Sequence, residues 1–322
     1  MYKKHFNLNR NPFDLTPNPA SFVPIKGHND ALTAIYHGVR QHKGFVVVVG
    51  EVGTGKTLLV RCLLDLLGRS RDIAYSYVVN GRLPEVEFLQ YVLTDLGLPV
   101  AGRSKYELLL DFGHYLAERN ARRMTTILIV DEAHLLSSEI LEEIRLLSNL
   151  ESNEDKLLQI VLVGQPELDE KLDSIEFRQL KQRIAVRTQL SGLTLIETRQ
   201  YILQRLKQAG CPNGDTRLFP ADTISTIHRV TQGLPRLVNL VCENALIEAY
   251  GVRAEFVTRE IVQSVARQFR LDVEATSGAR DLRLDPLDPE LQSLLKILLE
   301  GYRNGRRAAS DEDLAAFQEP ER

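Results

Sequence analysis

Apolar residues fall along this chain in two rhythms, and the change from one to the other divides the sequence. In the first part, short strand-like runs recur at 45–49, 73–79, 125–131, 159–165 and 185–190. Runs of this length suit strands of a parallel sheet, and the uninterrupted ones suit strands buried on both faces. Between them the apolar positions open out to helical spacing: Leu32, Ile35 and Val39 within 29–41, Leu58, Leu59, Leu63 and Leu66 after the first run, and further stretches at 84–96, 104–118 and 139–150. Ser104 and Glu107 have capping-box spacing and mark where the 104–118 helix begins. Strands alternating with helices in this way predict an α/β fold with a parallel sheet and right-handed crossovers. A ligand is expected at the carboxyl ends of those strands.

From Gly192 onward the strand signal stops. A second capping box, Thr194 with Glu197, opens a helix to about Ala209, and helical patterns cover 220–231, 235–250 and 258–269. The expected organisation is a sheet-bearing domain over 1–191, led by an N-terminal arm, and an all-helical lid over 192–270. Residues 271–322 read as a linker rich in Asp, Arg, Gly and Pro, a short amphipathic helix with Leu287, Leu291, Leu294, Leu295 and Leu298 on one face, and a disordered tail from 304. That helix is expected to pack back on the body or self-associate, with docking to a partner or a membrane surface as the alternative. The arm, residues 1–25, interleaves Pro12, Pro17, Pro19 and Pro24 with Phe6, Phe13 and Phe22, a pattern of extended chain with defined turns. Within and just beyond it, 22–28 is a candidate for contact with a nucleotide base, or for simple packing.

The first apolar run ends in Gly50-Glu51-Val52-Gly53-Thr54-Gly55-Lys56-Thr57, which satisfies the phosphate-loop pattern GxxxxGK[ST] in its required setting of strand, loop and helix. A polyphosphate needs several backbone N–H groups converging on it, and glycine at 50, 53 and 55 lets the chain wrap that tightly. The start of the following helix adds partial positive charge. Lys56 is placed to reach the β- and γ-phosphates of ATP, and the Thr57 hydroxyl to hold Mg²⁺. The 125–131 run ends on Asp131, with Glu132 directly after it: the first can serve the Mg²⁺ shell, the second can orient and deprotonate a water, which argues for hydrolysis rather than transfer.

Gln165 ends the fourth run, expected beside the strand carrying Asp131, where its amide can sense the γ-phosphate. Arg183, with Arg178 as runner-up, precedes the fifth run and could reach a neighbouring subunit's nucleotide as an arginine finger, which implies a homo-oligomer. Arg236, in Gly233-Leu234-Pro235-Arg236, could reach back from the lid and report the γ-phosphate. Asp131-Glu132-Ala133-His134 spells DEAH, but a helicase of that name would need a second motor domain, so the spelling reads as coincidence.

Hydrophobic residues make up 43% of the 322 and charged residues 26%, ordinary for a globular protein. Net charge is −3, which does not advertise a nucleic-acid binder, although Arg119, Arg122 and Arg123 leave a local basic patch open. The first residues lack the apolar core of a signal peptide, and no stretch approaches about 18 uninterrupted apolar residues, so the chain is expected to be cytoplasmic without a membrane span. Cys62, Cys211 and Cys242 are too scattered for a disulfide framework or a zinc site, and Cys62 and Cys242 are expected to pack as small hydrophobes.

The phosphate loop, the Asp131-Glu132 pair, Gln165, an arginine before the fifth strand and Arg236 in a helical lid together resemble an AAA+ ATPase. More narrowly, NPFDLTPNPASF, GEVGTGKTLL, IRLLSNLE, VLVGQPELDEKL, FRQLKQRI and GLPRLVNL are similar to the ExeA, or general secretion pathway A, family over residues 1–270. Within it the likeness is greatest to the branch serving the mannose-sensitive haemagglutinin pilus. The resemblance implies an ATPase energising assembly of type II secretion or type IV pilus machinery at the inner membrane. ExeA carries a transmembrane segment and a peptidoglycan-binding region after its ATPase; this sequence shows neither, so peripheral attachment through a partner protein is expected. The rival is a DNA-acting AAA+ ATPase of the transposition-regulator kind.

Overall fold

A computed structural model describes residues 2–79, 81–151, 156–211 and 217–271. The amphipathic helix expected at 287–302 and the tail from 304 lie outside the described residues. Five parallel strands are β1 (Phe45–Gly50), β2 (Ile73–Val78), β3 (Thr125–Val130), β4 (Leu158–Gly164) and β5 (Ile184–Leu190), in the spatial order β2-β3-β4-β1-β5. Every residue of β1, β3 and β4 is buried, as their apolar runs require when helices cover both faces. The edge strand β5 instead alternates, with Ala185, Arg187 and Gln189 exposed.

This order decides where the chemistry gathers. The chain leaves β1 for the far edge, returns through β3 and β4, then jumps over β1 to β5. The loops after β3, β4 and β1 therefore leave neighbouring strands at one edge, bringing Asp131, Gln165 and the phosphate loop side by side. The helices of this part are α1 (Tyr2–His5), α2 (Lys26–Arg40), α3 (Lys56–Leu67), α4 (Glu85–Asp95), α5 (Lys105–Ala121), α6 (Ser138–Leu147), α7 (Pro166–Asp173) and α8 (Arg178–Lys181). The box at the start of α5 forms: Glu107 N–H donates to Ser104 Oγ at 3.3 Å while Ser104 N–H donates to Glu107 Oε2 at 2.8 Å. Helices α7 and α8 lie in a stretch to which the apolar spacing assigned no element.

The helical part comprises α9 (Leu195–Gln208), α10 (Ala221–Thr231), α11 (Pro235–Gly251) and α12 (Arg259–Gln268), with the Thr194–Glu197 box capping α9. Its core includes Ile202, Leu206, Phe219, Val238, Cys242 and Val262. All three cysteines are free and buried, and burial pushes the Cys62 thiol up to about 12.

The arm, placed by chain order with the sheet, packs its apolar side chains into the helical core instead. Tyr2, Phe6, Leu8 and Phe13 belong to that cluster, and Phe13 meets Phe219 edge-on at 5.8 Å between ring centroids. The buried Arg205 of α9 clamps the arm, donating to Pro12 O at 2.6 Å and to Asp14 O and Ser21 O at 3.1 Å each. Both roots of the helical part are stitched together: Leu193 N–H donates to Gly233 O at 2.9 Å, and Gly233 sits at φ 69° where a Cβ would strike Leu193 O.

Arg205→Ala leaves the buried Pro12 carbonyl and the partly buried Asp14 and Ser21 carbonyls without their donor, and removes a planar fork that lysine does not reproduce. Chemical denaturation should show a loss of about 3 kcal/mol, only partly recovered by Arg205→Lys, and limited proteolysis should cut first in the arm.

Candidate nucleotide-binding site

The loop between β1 and α3 wraps because its glycines permit it. Gly53 and Gly55 sit at φ 86° and 100°, in the left-handed region, and a Cβ on Gly55 would press on His28 Nε2 at 3.0 Å. Inside the wrap, Thr54 is buried and its hydroxyl donates to Glu51 O at 2.8 Å, while Glu51 and Val52 are exposed on the outer turn. His28 Nε2 donates to Thr54 O at 2.7 Å, supporting the loop from beneath. Lys56, only 6% exposed, donates from Nζ to Gly50 O at 2.6 Å and to Glu51 O at 3.0 Å. Burial pulls its ammonium below the usual lysine range, against the opposing pull of the Glu132, Asp131, Glu51 and Glu167 carboxylates.

Across the crevice, Thr57 Oγ1 donates to Asp131 Oδ2 at 3.1 Å, so the two oxygens expected around Mg²⁺ already stand together. Tyr77, from β2, donates its hydroxyl to the same Oδ2 at 3.2 Å, and Glu132 N–H donates to Oδ1 at 2.9 Å. Burial pushes the Asp131 carboxyl above the usual carboxylate range; the Glu132 charge adds to this and the three hydrogen bonds oppose it. Glu132 follows at φ 52°, and its Oε2 is buried without a hydrogen-bond partner. A hard divalent cation with a polyphosphate suits this set: two oxygens already converged, a buried ammonium held only by carbonyls, and a carboxylate oxygen lacking a donor.

The helical part closes the site. Arg236 N–H donates to Gly53 O at 3.1 Å, so α11 starts directly on the phosphate loop. Arg236 helps line a cavity of about 290 Å³ with Gly53, Gly55, Lys56, Thr57, Glu132 and Gln165 on one wall and Tyr201, Arg205, Pro235 and Asn239 on another. Asp14 to Asn18 of the arm complete it. Of the stretch 22–28, Phe22, Val23, Ile25 and His28 are turned into the interior, which favours packing over contact with a base. Gln165 caps α7, and its side-chain amide meets His134 Nε2 at 3.1 Å.

Arg183 and Arg178 lie elsewhere. Arg183 donates from Nη1 to Ser148 Oγ at 2.7 Å just before β5, at the opposite end of the sheet from the loop, and Arg178 is exposed on α8. The sequence reading missed Tyr77, residues 14–18 and the Tyr201–Arg205–Asn239 wall. Of these only Tyr77 left a trace, as a polar-tipped aromatic one residue before the end of its strand.

A phosphate loop, an acidic pair on the second strand away, a polar residue on the strand between and a helical lid define an AAA+ P-loop fold. Comparison with known proteins agrees: the family model described as an AAA domain matches residues 39–172. General secretion pathway protein A of Aeromonas hydrophila is 40% identical over 253 residues, 78% of this chain. The chain spans 45% of that relative's length. The ATP-dependent target DNA activator B of Escherichia phage Mu is 24% identical, over 82% of this chain and 78% of that protein. Among solved structures, Drosophila ORC bound to DNA shares the fold at TM-score 0.62 with 19% identity, over 94% of this chain and 74% of that one. Cdc6p from Pyrobaculum aerophilum shares it at 0.61 with 19% identity, over 81% and 71%. The chain is thus an AAA+ P-loop protein that resembles general secretion pathway protein A (ExeA) over 78% of its own length.

Binding of Mg²⁺ with nucleotide needs Asp131 ionised and Lys56 protonated, so affinity should fall in acid and in base. Because the first group is raised and the second lowered, both limbs should close inward from the ordinary carboxylate and lysine values near ~4 and ~10. Tyr77→Phe removes a hydrogen bond that favours the carboxylate, so its acid limb should move to higher pH than the wild type's. Comparing the two by titration cancels the nucleotide's own ionisation; superimposable acid limbs would remove Tyr77 from the role.

Proposed function

We propose that this protein is an Mg²⁺-dependent ATPase, converting ATP to ADP and phosphate, and that it energises assembly of a type II secretion or type IV pilus system at the inner membrane. The observation that carries the hydrolysis reading is the convergence of Lys56, Thr57, Asp131, Glu132 and Gln165 at one edge of three adjacent strands. Gly50 to Thr57 bind the phosphates, Thr57 and Asp131 hold the cation, and Glu132 takes the proton of the attacking water. Gln165 and Arg236 orient on the terminal phosphate. Bound Mg²⁺ would neutralise charge developing between the β- and γ-phosphates.

The secretion or pilus assignment rests on the likeness to general secretion pathway protein A and extends to a partner protein at the inner membrane. Within the family we favour the pilus branch typified by MshM. No described helix is long and apolar enough to cross a membrane; by the same likeness we place the protein in the cytoplasm, held peripherally through that partner. Arg183 stands at the far end of its own sheet from its own loop, so as a finger it serves a neighbouring subunit, and the working form is a homo-oligomer.

The likeness to a phage target DNA activator favours the second reading, action on DNA. Against it, Arg119 is occupied within the fold, donating to Thr126 Oγ1 at 3.0 Å, Asp72 O at 3.1 Å and Thr125 O at 3.0 Å, which thins the basic patch.

Glu132→Gln should bind ATP yet turn it over about 10²- to 10⁴-fold more slowly; unaltered turnover removes Glu132 as base. Specific activity should rise with protein concentration and stay indifferent to duplex DNA, whereas strong stimulation by DNA would move the assignment to the second reading. Arg183→Ala should lose hydrolysis but retain nucleotide, and mixing it with Lys56→Ala subunits should restore some activity. No rescue at any ratio counts against a shared site.

A further inference from the structure

His134, set aside in the sequence as part of a coincidental spelling, stands between the two groups whose cooperation hydrolysis requires. It lies in the single 3₁₀ turn Ala133–Leu135 after β3, and its side chain is 11% exposed. Nδ1 accepts the Gln165 backbone N–H at 3.4 Å and lies 3.5 Å from Glu132 Oε2, while Nε2 stands 3.1 Å from the nitrogen of the Gln165 side-chain amide. Lys171 Nζ donates to His134 O at 3.2 Å and to Leu136 O at 2.6 Å, pinning the turn in place. Beside the ring, Glu132 Oε2 is a buried oxygen with no hydrogen-bond donor among the described residues.

A neutral imidazole carries one proton, and the partner of one nitrogen decides what the other can do. As placed, both ring nitrogens would accept, which a neutral imidazole cannot do; turning the Gln165 amide over resolves this, so that its oxygen accepts from a proton on Nε2 while Nδ1 accepts from Gln165 N–H. In that tautomer Nδ1 offers Glu132 only a lone pair, which accounts for the undonated Oε2. The Nδ1 contact is long and weak; the Nε2 contact is the one that holds the tautomer. When the Gln165 side chain turns away toward a terminal phosphate, Nε2 loses its acceptor, and the proton is better placed on Nδ1, opposite the waiting carboxylate oxygen.

We propose that His134 is a positioning residue that passes the state of the Gln165 side chain to the Glu132 carboxylate by exchanging which ring nitrogen carries the proton. One proton leaves Nε2 for solvent and one is taken up from solvent at Nδ1, so the ring's charge does not change. Donation from Nδ1–H to Oε2 fixes the carboxylate and leaves Oε1 to receive the proton of water. This inference rests on the reading of Glu132 as base and Gln165 as phosphate sensor.

The test is ¹⁵N NMR of the histidine rings in the full chain at a pH where the ring is neutral, with the His134 signals identified by their loss in His134→Asn. The nucleotide-free protein should show the Nε2–H tautomer; a non-hydrolysable ATP analogue with Mg²⁺ should convert it to Nδ1–H, and ADP should not. In Gln165→Ala the ring should be Nδ1–H with or without nucleotide. In kinetics, His134→Ala should lower kcat about 10- to 100-fold with nucleotide affinity unchanged. His134→Asn, whose amide can occupy the Nδ1 position as a donor, should recover part of the loss. The double variant with Gln165→Ala should lose no more than the worse single one.

A tautomer indifferent to nucleotide, or losses that multiply in the double variant, overturns the proposal. Should His134→Ala fail to fold, the tautomer measurement on the wild-type ring decides by itself. If Glu132→Gln loses turnover while His134→Ala keeps it, this inference alone fails; if Glu132→Gln keeps it, the hydrolysis reading fails with it.

Discussion

A lysine ammonium buried at the end of a parallel sheet, hydrogen-bonded to two backbone carbonyls, is the interaction on which the rest of this structure depends. Removing such a charge from water is costly, and carbonyl dipoles compensate only in part. The cost is sustained because β1 is buried on both faces and cannot shift, and because positive φ at Gly53 and Gly55 turns the chain back over the ammonium. Asp131 is held under a matching constraint across the crevice, with three donors opposing its burial. Charges of opposite sign are thus kept close but not joined, an arrangement suited to a ligand that carries both an anion and a cation.

Around this centre the helical part acts as a wall of the site as well as a neighbouring core. It touches the phosphate loop through the backbone of Arg236 and grips the arm through Arg205, while the arm supplies residues 14–18 to the cavity. Arm, helices and loop therefore meet at one place. Both arginines line the cavity, but the Arg205 guanidinium is held by three carbonyls of the arm, whereas Arg236 joins the loop through its backbone N–H.

The sheet was legible from the chain because burial on two faces leaves unbroken apolar runs, and the phosphate loop because its glycine spacing is set by backbone geometry that no other residue accepts so readily. The capping boxes at Ser104 and Thr194 were legible because both partners lie within one turn. What escaped were features made by distant contact. Helices α7 and α8 are short, and α7 is started by Pro166 and acidic residues rather than by apolar periodicity. The arm's prolines announced turns but not which core its aromatic residues would enter. Tyr77 and His134 act through groups on other strands, and nothing near them in the sequence names those partners. Gln165 was legible because it ends a strand whose neighbour could be inferred.

The backbone stitch between Leu193 and Gly233 has a mechanical consequence. The chain enters α9 just after the first of these residues and leaves α10 just before the second, and α11 begins two residues later on the phosphate loop. A displacement at the loop is therefore delivered to both roots of the bundle together, leaving no slack in which one helix could answer alone. Were the bundle to turn about this stitch as one body, the end of α11 away from the loop, with the exposed Ile247 and Tyr250, would sweep farther than its start.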